Sequence, residues 1–271
     1  LGDWVTPHFN GVRYFDKPPL LYWLMALSFS LAGPVEWAAR LWSALAAFGT
    51  ALLTAHVGSM LGSARAGLIS GLVVAANLEL FLFARVVKPD ALLVFFILVA
   101  YTGFLLAYRG GRPWALVLGY GGLGLTMLTK DPLGAVGPVV SIALFFFLVR
   151  ERPPRSRWLS WTGVGLFLAI VLPWYSVMEW KNHGFLWYTV VDNHFLNFAR
   201  RRVFPDEDIP LSAAEFLGVT AIGFFPWSLM LPWAFAAAFR RPWASPAARP
   251  WLLRGLWGAV VLAFFPLSPF K

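Results

Sequence analysis

Apolar residues run through this chain in long blocks, and charged residues interrupt them at intervals close to the width of a bilayer. A helix that crosses a membrane needs about 20 apolar residues, within a range of roughly 17 to 25. Eight blocks meet or approach that length: 36–61, 65–83, 90–108, 113–129, 132–149, 158–178, 216–239 and 251–267. Each predicts a span, the last with Arg254 snorkelling from its inner end. Residues 19–33 are apolar but short, bounded by Pro18-Pro19 and Gly33-Pro34, and predict an interfacial or re-entrant helix that does not cross. The expected fold is all-α, a polytopic membrane bundle of about eight spans plus one juxtamembrane helix.

The basic residues then fall into an order. Arg65; Arg109 and Arg112; Arg150, Arg152, Arg155 and Arg157; and Arg240, Arg241, Arg249 and Arg254 lie in alternate loops. With 19–33 not crossing, all four groups share one side, which the Lys/Arg bias of short loops identifies as cytoplasmic. Residues 1–35 and the long stretch 179–215 are then outer loops. Asp16-Lys17, Arg85-Lys88-Asp90, Lys130-Asp131, the stretch around His194 and Arg200, and Lys271 gather on the outer face. Charge concentrated at one membrane face is costly unless it binds a charged ligand or does chemistry.

Composition agrees with that class. Of 271 residues 59% are hydrophobic and 13% charged, where soluble domains carry about a quarter charged. The formal charge of +9 forms no solvated basic stripe, and half of the basic residues lie in inter-span loops, so nucleic acid is not an expected partner. There is no cysteine, which excludes a disulfide framework and thiolate metal sites. Gly119, Gly121 and Gly124 fit G-x-G-x-x-G but lie inside an apolar span without a preceding strand, so close helix packing is the expected role. No P-loop or H-E-x-x-H occurs.

Four outer motifs carry candidate chemistry. Asp16-Lys17-Pro18-Pro19 opens the short helix, and prolines suit a first helical turn whose free N–H groups attract anions. Lys17 there would hold a phosphate or pair with Asp16. Asp90 stands in the first turn of a span, near Arg85 and Lys88, either as a helix-end carboxylate or as part of a phosphate or sugar site. Lys130 would meet a ligand or neutralise Asp131. His194, Asn197 and Arg201 share one face at α-helical spacing, and the Arg200, Arg201, Arg202 triplet would pair with Asp206, Glu207 and Asp208 or hold an anion. Asp16, Asp90 and His194 are conceivable ligands of a divalent cation, but no spacing signature identifies a metal. An outer face lacks nucleotides, so group transfer there needs a membrane-borne donor such as a polyprenyl-phosphate sugar. Transfer needs a carboxylate for the acceptor proton and cations for the departing phosphate. A transporter or flippase would also line a cavity with charge, but it should show repeated halves or broken helices in matching positions, and no repeat is visible.

Gly2-Asp3-Trp4-Val5-Thr6-Pro7-His8, Arg13-Tyr14-Phe15-Asp16-Lys17-Pro18-Pro19, Thr129-Lys130, Leu172-Pro173-Trp174-Tyr175, Asp192-Asn193-His194, Phe225-Pro226-Trp227 and Phe264-Phe265-Pro266-Leu267-Ser268-Pro269-Phe270-Lys271 form a connected set. With it the chain resembles the GT-C glycosyltransferases of the protein O-mannosyltransferase and lipid A aminoarabinose transferase family. The resemblance implies a GT-C helix bundle and sugar transfer from a polyprenyl-phosphate donor to a protein hydroxyl, lipid A or another glycan. It implies a bacterial inner membrane location with an outward-facing site. It places Lys17 on the donor phosphate with Asp16 beside it, makes Asp90 a functionally important acid, and lines the cavity with Lys130, His194, Arg200 or Arg201, and Lys271. It also implies that the main catalytic acid, in an Asp-Glu pair after a first span, precedes Leu1. Residues 1–271 are accordingly expected to form a single transmembrane domain truncated at both ends and inactive by itself. Relatives carry Gly where Asp131 stands.

Overall fold

The computed structural model describes residues 2–110, 112–130, 132–149, 154, 156, 158–199, 201–204, 211–240, 245 and 248–267. They are almost entirely helical. A two-stranded hairpin, β1 (His8–Phe9) and β2 (Val12–Arg13), is followed by α1 (Leu20–Ala32), α2 (Glu36–Leu61), α3 (Ala64–Ala75), α4 (Leu78–Phe83), α5 (Asp90–Gly110), α6 (Pro113–Thr129), α7 (Leu133–Val149) and α8 (Trp161–Lys181). A π-helix (Trp187–Leu196), α9 (Ala213–Gly223), a 3-10 turn (Trp227–Met230), α10 (Leu231–Phe239) and α11 (Arg249–Leu267) complete the order. Among the described residues three helices, α2, α5 and α8, are long and apolar enough to cross a membrane, and a fourth span results if the bent pair Ala213–Gly223 and Trp227–Phe239 counts as one, against the eight expected. At 1.5 Å per residue the 21 residues of α8 extend about 31 Å, close to the hydrocarbon thickness.

The chain forms two compact units: Leu1–Ala135 with Pro153–His183, and Val136–Arg152 with Gly184–Lys271. In the first, missing side chains set the helix spacing. A Cβ on Gly103 of α5 would stand 2.3 Å from the Gly119 nitrogen of α6, and one on Gly122 would stand 2.7 Å from the Ala100 nitrogen. On the other side of α6, Gly121 faces Leu166 and Gly124 faces Ile170 of α8. The glycines of the false dinucleotide motif therefore let one helix lie close against two neighbours, as expected of a membrane span. Between α2 and α3, Gly67 and Gly71 approach the carbonyls of Ala55 and Ala51.

This packing gives the unit two distinct ends. At one, Arg109 Nη1 donates to the Met60 carbonyl at 3.0 Å, and the Tyr120 hydroxyl donates to the Trp158 carbonyl at 3.1 Å. Arg65 and Arg112, beside the short turns there, belong to the same end. At the other, Leu21 of α1 shares a core cluster with Ala91 and Leu92 of α5 and Ala46 of α2. The Tyr175 hydroxyl of α8 donates to the Met127 carbonyl of α6 at 3.0 Å. The basic loops of this unit thus lie opposite the end that holds Lys17, Asp90 and Lys130.

Two expected spans are interrupted. Block 65–83 divides at Asn77, whose side chain accepts the Leu80 N–H at 2.8 Å and caps α4 as a new helix. Block 216–239 breaks after Gly223, and the two halves are bent by 110°; Pro226 leaves no N–H to continue the turn. Pro18 and Pro19 do not form the first turn of α1 either. Pro19 is its N-cap, accepting the Trp23 N–H at 2.9 Å, and both prolines are buried ahead of the helix.

In the second unit, α11 packs against α9 and α10. Phe216 stacks on Phe265 at 5.8 Å between ring centroids, and Gly255 admits the Ala238 methyl. Ser212 and Glu215 form a reciprocal capping box at the start of α9.

Candidate functional site

The candidate site begins with one ion pair. Asp90 is the first residue of α5 and Lys130 follows the last residue of α6, so the glycine-lined packing of those helices brings their ends together. Lys130 Nζ lies 2.7 Å from Asp90 Oδ1, and the two side chains are 33% and 26% exposed. The pair is therefore desolvated in part yet reachable. Lys130 has a partner forty positions away; the expected alternative, the adjacent Asp131, lies outside the described residues. Glu79, in the first turn of α4, lies close enough to Asp90 to feel its charge. It was not expected near the site. The Asn77 cap that places it was readable as a helix start, Asn with Glu two positions on.

Arg85 and Lys88 make no ion pair with Asp90. The Arg85 guanidinium lies 3.6 Å above the Phe81 ring centroid, a cation–π contact within α4 and its C-cap turn. Lys88 is exposed, and its carbonyl accepts the Ser43 hydroxyl at 3.4 Å.

Lys17 and Asp16 occupy the short bridge between the hairpin and α1, both half-buried. Among the described residues the Lys17 ammonium has no hydrogen-bond or ion-pair partner. Asp16 acts on the Tyr22 phenol: burial first, then the fields of Tyr14 and Asp16, push that hydroxyl up to about 12.

A network around residues 3–13, absent from the sequence-based expectations, holds this bridge. Asp3 Oδ1 accepts the N–H groups of Val5 and Thr6 at 2.9 and 3.1 Å and forms an ion pair with Lys181 at 3.4 Å. The Thr6 and Val5 amides, in that order, outweigh partial desolvation and hold its carboxyl at about 2, well below 3.8, with Lys181 assisting. Trp174 Nε1 donates to the Val5 carbonyl at 2.9 Å, and Trp23 Nε1 donates to the Trp4 carbonyl at 2.9 Å. Asn182 accepts from Arg13 Nη1 and donates to Thr6 Oγ1, each at 3.1 Å. The hairpin turns at Asn10-Gly11, both with positive φ, a combination Asn-Gly favours.

In the second unit, residues 187–196 wind as a π-helix, so the α-helical spacing expected to align His194, Asn197 and Arg201 does not hold there. His194 Nε2 is buried and has no partner among the described residues, while Arg201 is exposed and its backbone N–H donates to the Leu196 carbonyl at 2.7 Å. Arg202 takes a structural part. Its Nε lies 3.5 Å from Oδ2 of the fully buried Asp192, and its Nη2 donates to Asn193 Oδ1. Asp192 also accepts the amides of Val203 and Phe204 at 2.7 and 3.3 Å. Arg200, Asp206, Glu207, Asp208 and Lys271 lie outside the described residues. Among the described residues no three His, Asp or Glu side chains gather as a metal-binding group.

Comparison with known proteins bears on this arrangement. The profile described as dolichyl-phosphate-mannose-protein mannosyltransferase matches residues 16–176. An uncharacterized protein of Aquifex aeolicus (strain VF5) is 34% identical over 180 residues, covering 66% of this chain and 40% of that protein. The undecaprenyl phosphate-alpha-4-amino-4-deoxy-L-arabinose arabinosyl transferase of Pseudomonas aeruginosa (strain PAO1) is 29% identical over 290 residues, covering 98% of this chain and 48% of the transferase. The crystal structure of ArnT from Cupriavidus metallidurans bound to undecaprenyl phosphate matches with a TM-score of 0.88 at 25% identity, over 100% of this chain and 49% of that one. The chain spans about half the length of these two transferases. The all-α bundle is that of a GT-C polytopic membrane protein.

Proposed function

Since this chain belongs to the dolichyl-phosphate-mannose-protein mannosyltransferase family, we propose that it is part of a membrane glycosyltransferase that moves a sugar from a polyprenyl-phosphate donor to an acceptor oxygen. The protein is a multi-pass component of the bacterial inner membrane. The acceptor is proposed to be a lipid, lipid A or another lipid-borne glycan, in preference to a protein, and the reaction is proposed to face the periplasm. The observation that carries this reading is the half-buried Lys17 ammonium, without a protein partner among the described residues, at the end of the unit where Asp90 and Lys130 pair. A cation so placed suits a lipid-linked phosphate arriving from the bilayer.

In the proposed reaction an acceptor oxygen bonds to the anomeric carbon as the bond from that carbon to the phosphate oxygen breaks. A carboxylate takes the acceptor's proton, and the polyprenyl phosphate leaves with its charge held by Lys17 and Lys130. Asp90, paired with Lys130, orients the ammonium and supplies a carboxylate, and Asp16 supplies a second one beside Lys17. Arg85 and Lys88, from their nearness in sequence to Asp90, and His194, Arg200, Arg201 and Lys271, from the resemblance, remain proposed donor contacts.

The test is sugar transfer from undecaprenyl-phosphate sugars by the full-length protein in membranes. Lys17→Ala and Lys130→Ala are each expected to lower transfer by about 10²–10³-fold, the usual effect of losing one charge-stabilising contact. No transfer from any such donor, with envelope glycans unaltered by Lys17→Ala, overturns the proposal.

A further inference from the structure

We propose that Asn182 is a positioning residue that sets the location of the Lys17 ammonium, through a strap formed by residues 3–13. This inference rests on the donor-binding reading of Lys17 for its functional consequence, though not for its geometry.

Asn182 lies directly after α8 and is 7% exposed. Its amide uses both ends across the chain: Oδ1 accepts from Arg13, and Nδ2 donates to Thr6, itself 4% exposed, with the Met178 carbonyl as a further acceptor at 3.3 Å. One side chain therefore closes on both limbs of the strap. The strap is stiffened from within, since the Tyr14 N–H donates to the Pro7 carbonyl at 2.8 Å and the hairpin pairs His8 with Arg13.

The consequence for Lys17 follows from chain length. At one end Arg13 is held by Asn182; at the other Pro18 and Pro19 are buried and Leu21 enters the core with Ala91 and Leu92. Only residues 14–17 lie between those anchors. A bridge so short, leading into a proline whose φ is fixed, has little freedom while both ends are tied. Releasing the Arg13 end removes one tie of the strap and leaves the Trp174 and Trp23 bonds to Val5 and Trp4, so the bridge is held less closely at that end. Asn182 touches neither Asp90 nor Lys130, so its effect on them passes through the strap. A buried amide that only completed the core would stabilise the unit without favouring any one position of Lys17.

The experiment uses the full-length protein in lipid nanodiscs. None of these 271 residues is cysteine, so once any cysteine elsewhere in the full-length protein is replaced by serine, a nitroxide on Lys17→Cys reports motion at that position. Asn182→Ala is expected to sharpen its spectrum; an unchanged line shape in a folded protein overturns the positioning role, whatever the enzyme's activity. In transfer assays with an undecaprenyl-phosphate sugar, Asn182→Ala is expected to raise KM for the donor about tenfold, the scale of a lost buried hydrogen bond. The rate constant kcat is expected to fall as well, because a displaced Lys17 ammonium also holds the departing phosphate less well. Asn182→Asp, which keeps an oxygen facing Arg13, is expected to restore most of the lost affinity. In a Lys17→Ala background the effect of Asn182→Ala should vanish, because residues acting through one another are non-additive. An equal effect in both backgrounds, or KM and kcat both unchanged in a folded protein, overturns the proposal. Should Asn182→Ala fail to fold, Arg13→Met breaks the same link from the exposed side, with the same expectations and the same reversals. Failure of the unaltered protein to bind undecaprenyl phosphate would remove the functional reading, while the nitroxide measurement would still decide the geometry.

Discussion

Asp3 shows how much of this molecule depends on single polar groups at the edge of an apolar body. Its carboxylate holds two amides and Lys181. Its pKa of about 2 lies below 3.8, so the charged form is preferred in the folded state. The contribution is fully present above about pH 4 and is lost as pH falls through about 2. Hydrogen exchange at residues 5–13 is therefore expected to accelerate over that window, and Asp3→Asn should remove the pH dependence; an unaltered profile would contradict the role assigned to Asp3. Legibility in the sequence divides along similar lines. Lys17, Asp90 and Lys130 stand out as charges in an apolar chain, and all three share one end of the first unit. The Lys130–Asp90 bond spans forty positions, and spacing offers no hint of it, whereas the adjacent Asp131 invites a local pairing. Asn182 and Thr6 look unremarkable in sequence because their role depends on contacts more than 170 positions apart.

At the scale of the helices, backbone-to-backbone approach is the organising contact, and two glycine substitutions separate it from mere helix propensity. Gly103→Ala sets a methyl against the Gly119 nitrogen at 2.3 Å, so the backbone must part, at an expected cost of about 1–3 kcal/mol. Gly165→Ala in α8 meets nothing within 4 Å and should be neutral or stabilising by up to about 1 kcal/mol. Thermal unfolding of the purified protein in one detergent compares the two; equal midpoints would deny the close packing of α5 on α6. The long spans were readable because a block of about 20 apolar residues has few other uses. The interruptions were signalled too: Asn77 with Glu79 is a helix start, Gly223 and Pro226 are breakers, and Asn10-Gly11 is a hairpin turn. In the first two cases the length of the surrounding apolar block outweighed the local sign. The π-helix had no such sign, since 187–196 carries no residue pattern that separates i→i+5 from i→i+4 winding.

For the molecule as a whole, the two ends of the first unit lead to an expectation about sidedness. Arg65, Arg109 and Arg112 share one end, and Lys17, Asp90 and Lys130 share the other. Single cysteines placed at Lys17 and Lys130 are expected to react with an impermeant thiol reagent from the periplasmic side of intact cells. Cysteines at Arg65 and Arg112 should react only after the membrane is opened. Labelling of Lys17 and Lys130 from opposite sides would end the reading of a common outer site. The apolar blocks and the alternation of basic loops anticipated this polarity, because both depend on the bilayer itself and not on tertiary detail.

The seam between α5 and α6 has a mechanical corollary. Gly103 is thirteen residues from Asp90, about 20 Å along the helix axis. With no side chains between the two backbones at that point, it behaves as a fulcrum, and the helical arms above it carry the carboxylate and the ammonium. Tilting either arm by a few degrees at the fulcrum displaces its tip by an ångström or more, enough to stretch a 2.7 Å ion pair. A methyl group added deep in the bilayer thus tunes electrostatics at its surface, with leverage that no substitution beside the pair would have.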